Sequence, residues 1–214
     1  MKSESANLTA KVYDYLKNQI LSGVYEKGSA ITELGVAKEL EVSRTPVREA
    51  LRQLELGGLI KIVPNKGAIV EGISLDDIKN IYEIRSLIEG LAAVHAVENA
   101  TDEEIETLRE IVDLTEFYFN RGDNKKLRDM DGKFHQCLYE ISHNRMLKHV
   151  LNDLHGYGVK YRVKSMQSSG RIEKTIVEHR DIMNAVLQRD PEKAEKLAIK
   201  HIENALKNII LTQE

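Results

Sequence analysis

Apolar residues recur at intervals of three and four along most of the chain, the period of a helix with one buried face. From Ala10 to Leu21 the spacing places Val12, Leu16, Ile20 and Leu21 on one side. Ser22-Gly23 ends this run, and Tyr25–Ala30 reads as a loop. Thr32 suits the N-cap of a short helix through Leu40. Beyond the tight Glu41-Val42-Ser43 connection, a further helix runs from about Arg44 or Thr45 to Leu56, with Val47, Ala50, Leu51 and Leu54 facing inward. Thr45 as N-cap would put Pro46 at the first helical position, where its missing N–H costs nothing; Ser43 is the competing cap. Gly57-Gly58 stops the helix. Leu59–Val63 and Ala68–Glu71 are short runs rich in β-branched residues around Pro64-Asn65-Lys66-Gly67, which reads as a hairpin. Helix, helix, three-residue turn, helix and hairpin make a helix-turn-helix with a β wing.

After Gly72 the pattern is helical to the end. Six segments are expected, at about 75–98, 102–119, 124–141, 145–163, 172–188 and 192–211. Ser74 and Thr101 suit N-caps, Thr101 and Glu104 have capping-box spacing, and Pro191 stands just inside the last helix. Short connections favour antiparallel neighbours. The predicted fold is therefore mainly α: an N-terminal winged helix-turn-helix over residues 1–71 and a C-terminal antiparallel six-helix bundle over 72–214.

Composition narrows the function. Of the 214 residues, 42% are hydrophobic, enough to build a core, while only 5% are aromatic and Pro numbers 3, which disfavours a turn-rich β sandwich. The formal charge is −3, which excludes a protein that coats nucleic acid over its whole surface. The first 71 residues carry a net +1 and the remainder −4. Cys137 has no partner for an intrachain disulfide and rules out a thiolate zinc finger. The polar start of the chain lacks a signal-peptide core, and no run approaches the ~18 apolar residues that cross a bilayer. A cytoplasmic protein without a membrane span is expected.

The helix after the turn carries the first functional signal. Arg44, Arg48 and Arg52 share a face away from the apolar stripe, with Thr45 near the helix start. A recognition helix needs this layout, because side chains at its N-terminal end reach base edges and its guanidiniums meet guanine or phosphate. Lys66 and Gly67 at the hairpin tip are placed to reach the flanking backbone or the minor groove. The alternative is an amphipathic helix with a solvated basic face. The run Ser43-Arg44-Thr45-Pro46-Val47-Arg48-Glu49-Ala50-Leu51, with Leu54 and Gly58-Leu59-Ile60, resembles the signature of GntR-type bacterial transcriptional regulators. The resemblance implies that Ser43, Arg44, Thr45 and Arg48 contact DNA, with Lys66 and Gly67 in the wing. The family usually has Gly where this chain has Glu41, and some members have Arg where it has Leu34. Glu tolerates a left-handed turn poorly, so either the turn differs or a small strain is accepted.

Polar residues on apolar stripes carry the second signal. His179 lies in the series Ile172, Ile176, His179, Met183, Val186, and His201 in Ala194, Ala198, His201, Ala205. Asp131 lies in Leu127, Asp131, Phe134, Leu138, with His135 one turn on. Singly, each has the profile of a hydrogen-bonded core residue. Together, three imidazoles and a carboxylate from three helices suit a first-row divalent metal with open positions. His149 and Asp153 are also four apart, but on a stripe that is barely apolar, and read as surface; His95, His143 and His155 have no comparable support. Arg85 sits in Ile78, Ile81, Arg85, Ile88, Ala92 and requires an anion if buried, either Glu89 one turn on or a bound carboxylate.

Leu75-x-x-Ile78 through Arg85-x-x-x-Glu89, Asp131-x-x-Phe134-His135, Asn144, Glu178-His179-x-x-Ile182 and His201 resemble the FCD ligand-binding domain of FadR-type GntR regulators. Six helices are similar to the VanR-like branch. The resemblance implies that Asp131, His135, His179 and His201 hold zinc, nickel or manganese, and that the metal and Arg85 together bind a small organic acid. Members that sense acyl-CoA lack the full metal set. The resemblance implies a homodimeric regulator, not an enzyme, that binds a palindromic operator under the control of that acid. Two alternatives are a metal-dependent hydrolase acting on a small carboxylate substrate and a helical interaction module without a DNA role.

Overall fold

A computed structural model describes residues 2–64 and 67–213. The chain separates into two compact units, Met1–Ser74 and Leu75–Glu214.

The first unit opens with α1 (Lys2–Ser22), which starts well before the apolar stripe does. Its polar first turns carry no periodicity that would announce them. Val12, Leu16, Ile20 and Leu21 are buried as the spacing requires. Gly23, at φ 82, turns the chain out of the helix. Helix α2 (Glu33–Glu39) is capped by Thr32, whose hydroxyl accepts from the Gly35 amide at 3.1 Å. Helix α3 (Arg44–Leu56) packs on α1 and α2 through Val47, Ala50, Leu51 and Leu54.

Between α1 and α2 lies a two-residue strand, β1 (Ala30–Ile31), where the sequence reads as loop. It pairs antiparallel with β3 (Gly67–Val70), which also pairs antiparallel with β2 (Ile60–Val63), giving the order β1-β3-β2. The wing is thus the outer hairpin of a three-stranded sheet rather than a free ribbon. Gly67 is required twice. Its φ is +83, and a Cβ there would stand 2.7 Å from the Ile31 carbonyl oxygen of β1.

The second unit is all helix: α4 (Leu75–Asn99), α5 (Asp102–Asn120), α6 (Asn124–Ile141), α7 (Arg145–Tyr157), α8 (Val159–Ser165), α9 (Arg171–Leu187) and α10 (Pro191–Leu211). Thr101 and Glu104 form the expected reciprocal capping box, and Asp190 caps α10 with Pro191 in its first turn. Helix α10 lies along α4, and α5 packs between α6 and α9. The core they share includes Ala92, Ala96, Leu108, Phe134, Leu138, Ile182, Val186 and Ala198, each almost wholly buried. Alanines where α4 meets α10 let the two helices approach closely, and Gly90 seats Ile199 of α10 where a Cβ would stand 2.9 Å from it.

The helix expected at 145–163 is broken. Gly158 ends α7 and opens α8. Two glycines, Gly156 and Gly158, weaken the helix there, and the His155 carbonyl accepts from the Gly158 amide at 3.3 Å and from the Arg162 guanidinium at 2.6 Å. The space at Gly158 is tight: a Cβ would meet Arg162 Nη1 at 3.1 Å and the Tyr82 hydroxyl at 3.2 Å.

Candidate nucleic-acid interface and metal centre

In the first unit, Ser43 is the N-cap of α3, with extended backbone (φ −70, ψ 162). Arg44, Thr45 and Pro46 therefore fill the first three helical positions, and Pro46 stands at the third rather than the first. That displacement has a chemical result. A capping hydroxyl commonly accepts from the third amide, and proline has none. Ser43 accordingly makes no side-chain cap hydrogen bond. Ser43, Arg44, Thr45 and Arg48 are all exposed at this end of the helix.

The two arginines are organised by a residue that the sequence did not single out. Glu33, at the start of α2, accepts from Arg48 Nε at 2.9 Å and Nη2 at 3.0 Å, and from Arg44 Nη2 at 2.9 Å. The bidentate bond from Arg48, helped by Arg44, lowers the Glu33 carboxyl to about 2. Arg52 pairs with Glu49 one turn away. Glu41 sits at φ 54 in the turn, so the strain is accepted without a glycine. Gly67 holds its place in β3, while Lys66 lies outside the described residues.

In the second unit, α6, α9 and α10 bring His135, His179 and His201 together. His201 Nε2 is 3.3 Å from His135 Nε2 and 3.4 Å from His179 Nε2. Two imidazole nitrogens bound tetrahedrally to one zinc ion at about 2.0–2.1 Å stand about 3.3–3.4 Å apart. The three rings form the one His-rich group among the described residues whose ligand atoms all lie within 4.8 Å of one another. Two of the rings are oriented from behind. His135 Nδ1 faces Glu89 Oε2 at 3.1 Å, and His201 Nδ1 faces Glu178 Oε2 at 2.7 Å. A carboxylate can only accept, so each Nδ1 carries the proton and each Nε2 offers its lone pair to the shared point. His179 is held by stacking on Phe134, with ring centroids 3.7 Å apart.

Electrostatics keeps this set ready for a cation. Burial pushes His179 and His201 below the ordinary histidine range, so both are neutral. Burial alone would raise the Glu178 carboxyl, but His201 and Arg171 bring it down to about 2. Burial is likewise outweighed at Glu89, where Arg85 and His135 hold the carboxyl well below its usual range. The unpartnered buried polar atoms found among the described residues, Tyr82 Oη, Arg85 Nη1, His155 Nε2 and His179 Nδ1, all belong to residues of this site or its rim. Such a cluster is unusual in a finished core and suits a site built to take up a further group. The donor set fits a divalent ion.

Asp131 stands beside the three nitrogens rather than among them. Its Oδ1 is 4.0 Å from His179 Nε2, and its Oδ2 is 3.7 Å from Arg162 Nε on α8. Arg85 is 1% exposed and spends both Nε and Nη2 on Glu89 Oε1, so the carboxylate one turn on is its anion. His155, set aside by its sequence context, lies with its ring 4.8 Å from His135 and its Nδ1 3.3 Å from Arg85 Nη2. His149 and Asp153 are exposed. Glu89 and Glu178 as orienting carboxylates, Arg162 and His155 were not assigned roles from sequence. For Glu178 the signal was present in the Glu178-His179 pair, whereas Arg162 follows a glycine break that no apolar pattern reveals.

The two units match separate family models. A family described as "Bacterial regulatory proteins, gntR family" matches residues 8–70, and the FCD domain matches residues 80–204. The chain belongs to the GntR family of DNA-binding transcriptional regulators, with the FadR-like combination of a GntR head and an FCD domain. It is 32% identical to the uncharacterized HTH-type transcriptional regulator YdhC of Bacillus subtilis (strain 168), over 88% of this chain and 85% of that one. It is 26% identical to the HTH-type transcriptional repressor RspR of Escherichia coli (strain K12), over 93% and 87%. The fold is similar to that of Escherichia coli McbR/YncC, with TM-score 0.80 at 21% identity, covering 97% of this chain and 99% of that one. These families and relatives are regulators, not enzymes, which removes the hydrolase alternative.

Proposed function

We propose that the chain is a homodimeric regulator whose operator affinity is set by a small organic acid bound at a divalent metal in the bundle. The convergence of three histidine Nε2 atoms, two of them backed by carboxylates, carries this reading. His135, His179 and His201 would hold the ion, with Asp131 as a fourth ligand. Zinc, nickel and manganese all accept such donors. When bound, the ion supplies a positive centre for a carboxylate oxygen. Residues 1–71 act as the DNA-binding head and 72–214 as the sensing and dimerising domain, in the cytoplasm.

In the head, Arg48 and Arg44 read base edges or phosphate, Ser43 and Thr45 meet the backbone at the helix start, and Lys66 and Gly67 serve the wing. A two-fold protein matches a palindromic operator with one head per half-site. An apolar stripe on α4, in which Ile84, Leu87 and Leu91 remain largely exposed, supports association of two bundles. The similarity to the repressor RspR supports a negative sign of regulation. Effector and operator are linked reciprocally, by typically ~5–150-fold in affinity.

Two variants test the two halves. Arg48→Ala is expected to weaken operator binding by about 1–3 kcal/mol in a titrated gel shift, and operator affinity equal to wild type would remove Arg48 from the interface. His179→Ala is expected to lose bound metal by elemental analysis of the purified protein. Full metal content in that variant would break the ligand set.

A further inference from the structure

Beyond the reading above, and resting on it, we propose that Arg162 rather than Arg85 takes the acid group of the effector, once Asp131 has been committed to the metal. The pocket beside the three histidines is lined by three arginines, Arg85, Arg162 and Arg171. They are not equivalent. Arg85 gives Nε and Nη2 to Glu89, is 1% exposed and keeps only Nη1 unpartnered, so it has no fork of two donors left. Arg171 forms a two-bond fork with Glu178, Nη1 at 3.1 Å and Nη2 at 3.0 Å. Among the described residues, the one ion pair of Arg162 is the long 3.7 Å contact with Asp131.

Arg162 is nonetheless held in place. Its Nη1 is pinned to the His155 carbonyl at the helix break, and the missing side chain of Gly158 gives it room. The remaining guanidinium edge is left for a planar acceptor, the geometry that favours a carboxylate. The Tyr82 hydroxyl lies close by, lines the same pocket, is 99% buried and has no partner there, so it supplies a second donor.

Charge decides the order of events. The three arginines are balanced by Glu89, Asp131 and Glu178, one anion each. Asp131 is the anion that is also within 4.0 Å of a histidine ligand. When its carboxylate turns to a divalent ion, Arg162 keeps a half-buried charge without a counterion, an arrangement that an incoming anion relieves. The ligand class follows as a small carboxylic acid whose carboxylate meets Arg162 and Tyr82 beside the metal. Its binding should depend on the metal although Arg162 is not a metal ligand.

The full-length protein, zinc-loaded or metal-free, would be screened by thermal shift against short mono- and dicarboxylates, and the best of them titrated by calorimetry. Wild type is expected to bind the carboxylate only when zinc-loaded. Arg162→Gln is expected to weaken the carboxylate by about tenfold or more while zinc binds at least as tightly as in wild type, since Asp131 is no longer drawn aside. Arg162→Lys should fall between, and Arg85→Lys should affect the carboxylate less than Arg162→Gln does. Carboxylate binding at wild-type strength in Arg162→Gln overturns the assignment. Loss of zinc together with the carboxylate in both Arg162 variants also overturns it, because Arg162 would then be a structural support. If no carboxylate shifts zinc-loaded wild type, the effector reading itself falls; if wild type takes up no zinc, the metal reading falls.

Discussion

Glu41 is a small cost carried in the open. Its φ of 54 lies in the left-handed region, which costs an L-residue roughly 1–2 kcal/mol, while glycine in the same place loses about 0.5–1 kcal/mol more chain entropy on folding. The difference has a sign: Glu41→Gly should stabilise the head by about 0.5–1 kcal/mol, read as a higher denaturation midpoint. A midpoint that falls would mean that the side chain makes a contact worth more than the strain. Glu33 shows the opposite economy. One carboxylate fixes two guanidiniums, so on the proposed reading the recognition face would meet DNA with its arginines already aligned, and the operator would compete with Glu33 for them.

At the scale of elements, the wing depends on a strand only two residues long. Gly67→Ala combines a positive φ with a Cβ 2.7 Å from the Ile31 carbonyl, and should cost about 1–3 kcal/mol in the stability of the head. A thermal midpoint equal to wild type would show that β1 can yield without loss. The helices that carry the sites were legible because burial imposes a period: the stripes through Val47 and Leu54, and through His179 and His201, placed these residues correctly on inward or outward faces. What was not legible has a physical reason in each case. Ala30-Ile31 is too short to show alternation. The break at Gly158 draws on a side-chain partner, Arg162, which donates to the His155 carbonyl. Glu89 was read only as the partner of Arg85, yet its second oxygen orients His135, a pairing across 46 residues that no local spacing encodes. Pro46 moved by two positions because helix starts are set by backbone geometry, which tolerates proline anywhere in the first turn.

At the scale of the whole chain, the buried histidines tie stability to pH. His155, His179 and His201 sit below the ordinary histidine value in the folded state, chiefly through burial. The unfolded chain therefore binds more protons than the folded one as pH drops below about 6.5, so stability falls with acidification from there. On the proposed reading, metal affinity would fall in the same window, because protons and the ion would compete for the same nitrogens. The expected outcome is a zinc-dependent rise in the unfolding midpoint at pH 7.5 that shrinks steadily once the pH passes below about 6.5. A zinc effect that stays constant into that range would place the ion on other ligands.

The missing cap at Ser43 has a consequence for how the operator is read. With Pro46 at the third position, Ser43 makes no side-chain cap for α3. A phosphate oxygen is the natural acceptor for such a helix start. On the proposed reading, DNA is thus the last structural component of the head, a prosthetic cap delivered by the genome. Binding sequence-neutral phosphate would complete the helix start, one turn before the Arg48 that Glu33 has already aligned. Affinity and discrimination would then arrive in that order, backbone first and letters second, which suits a protein that must search a long polymer before it stops.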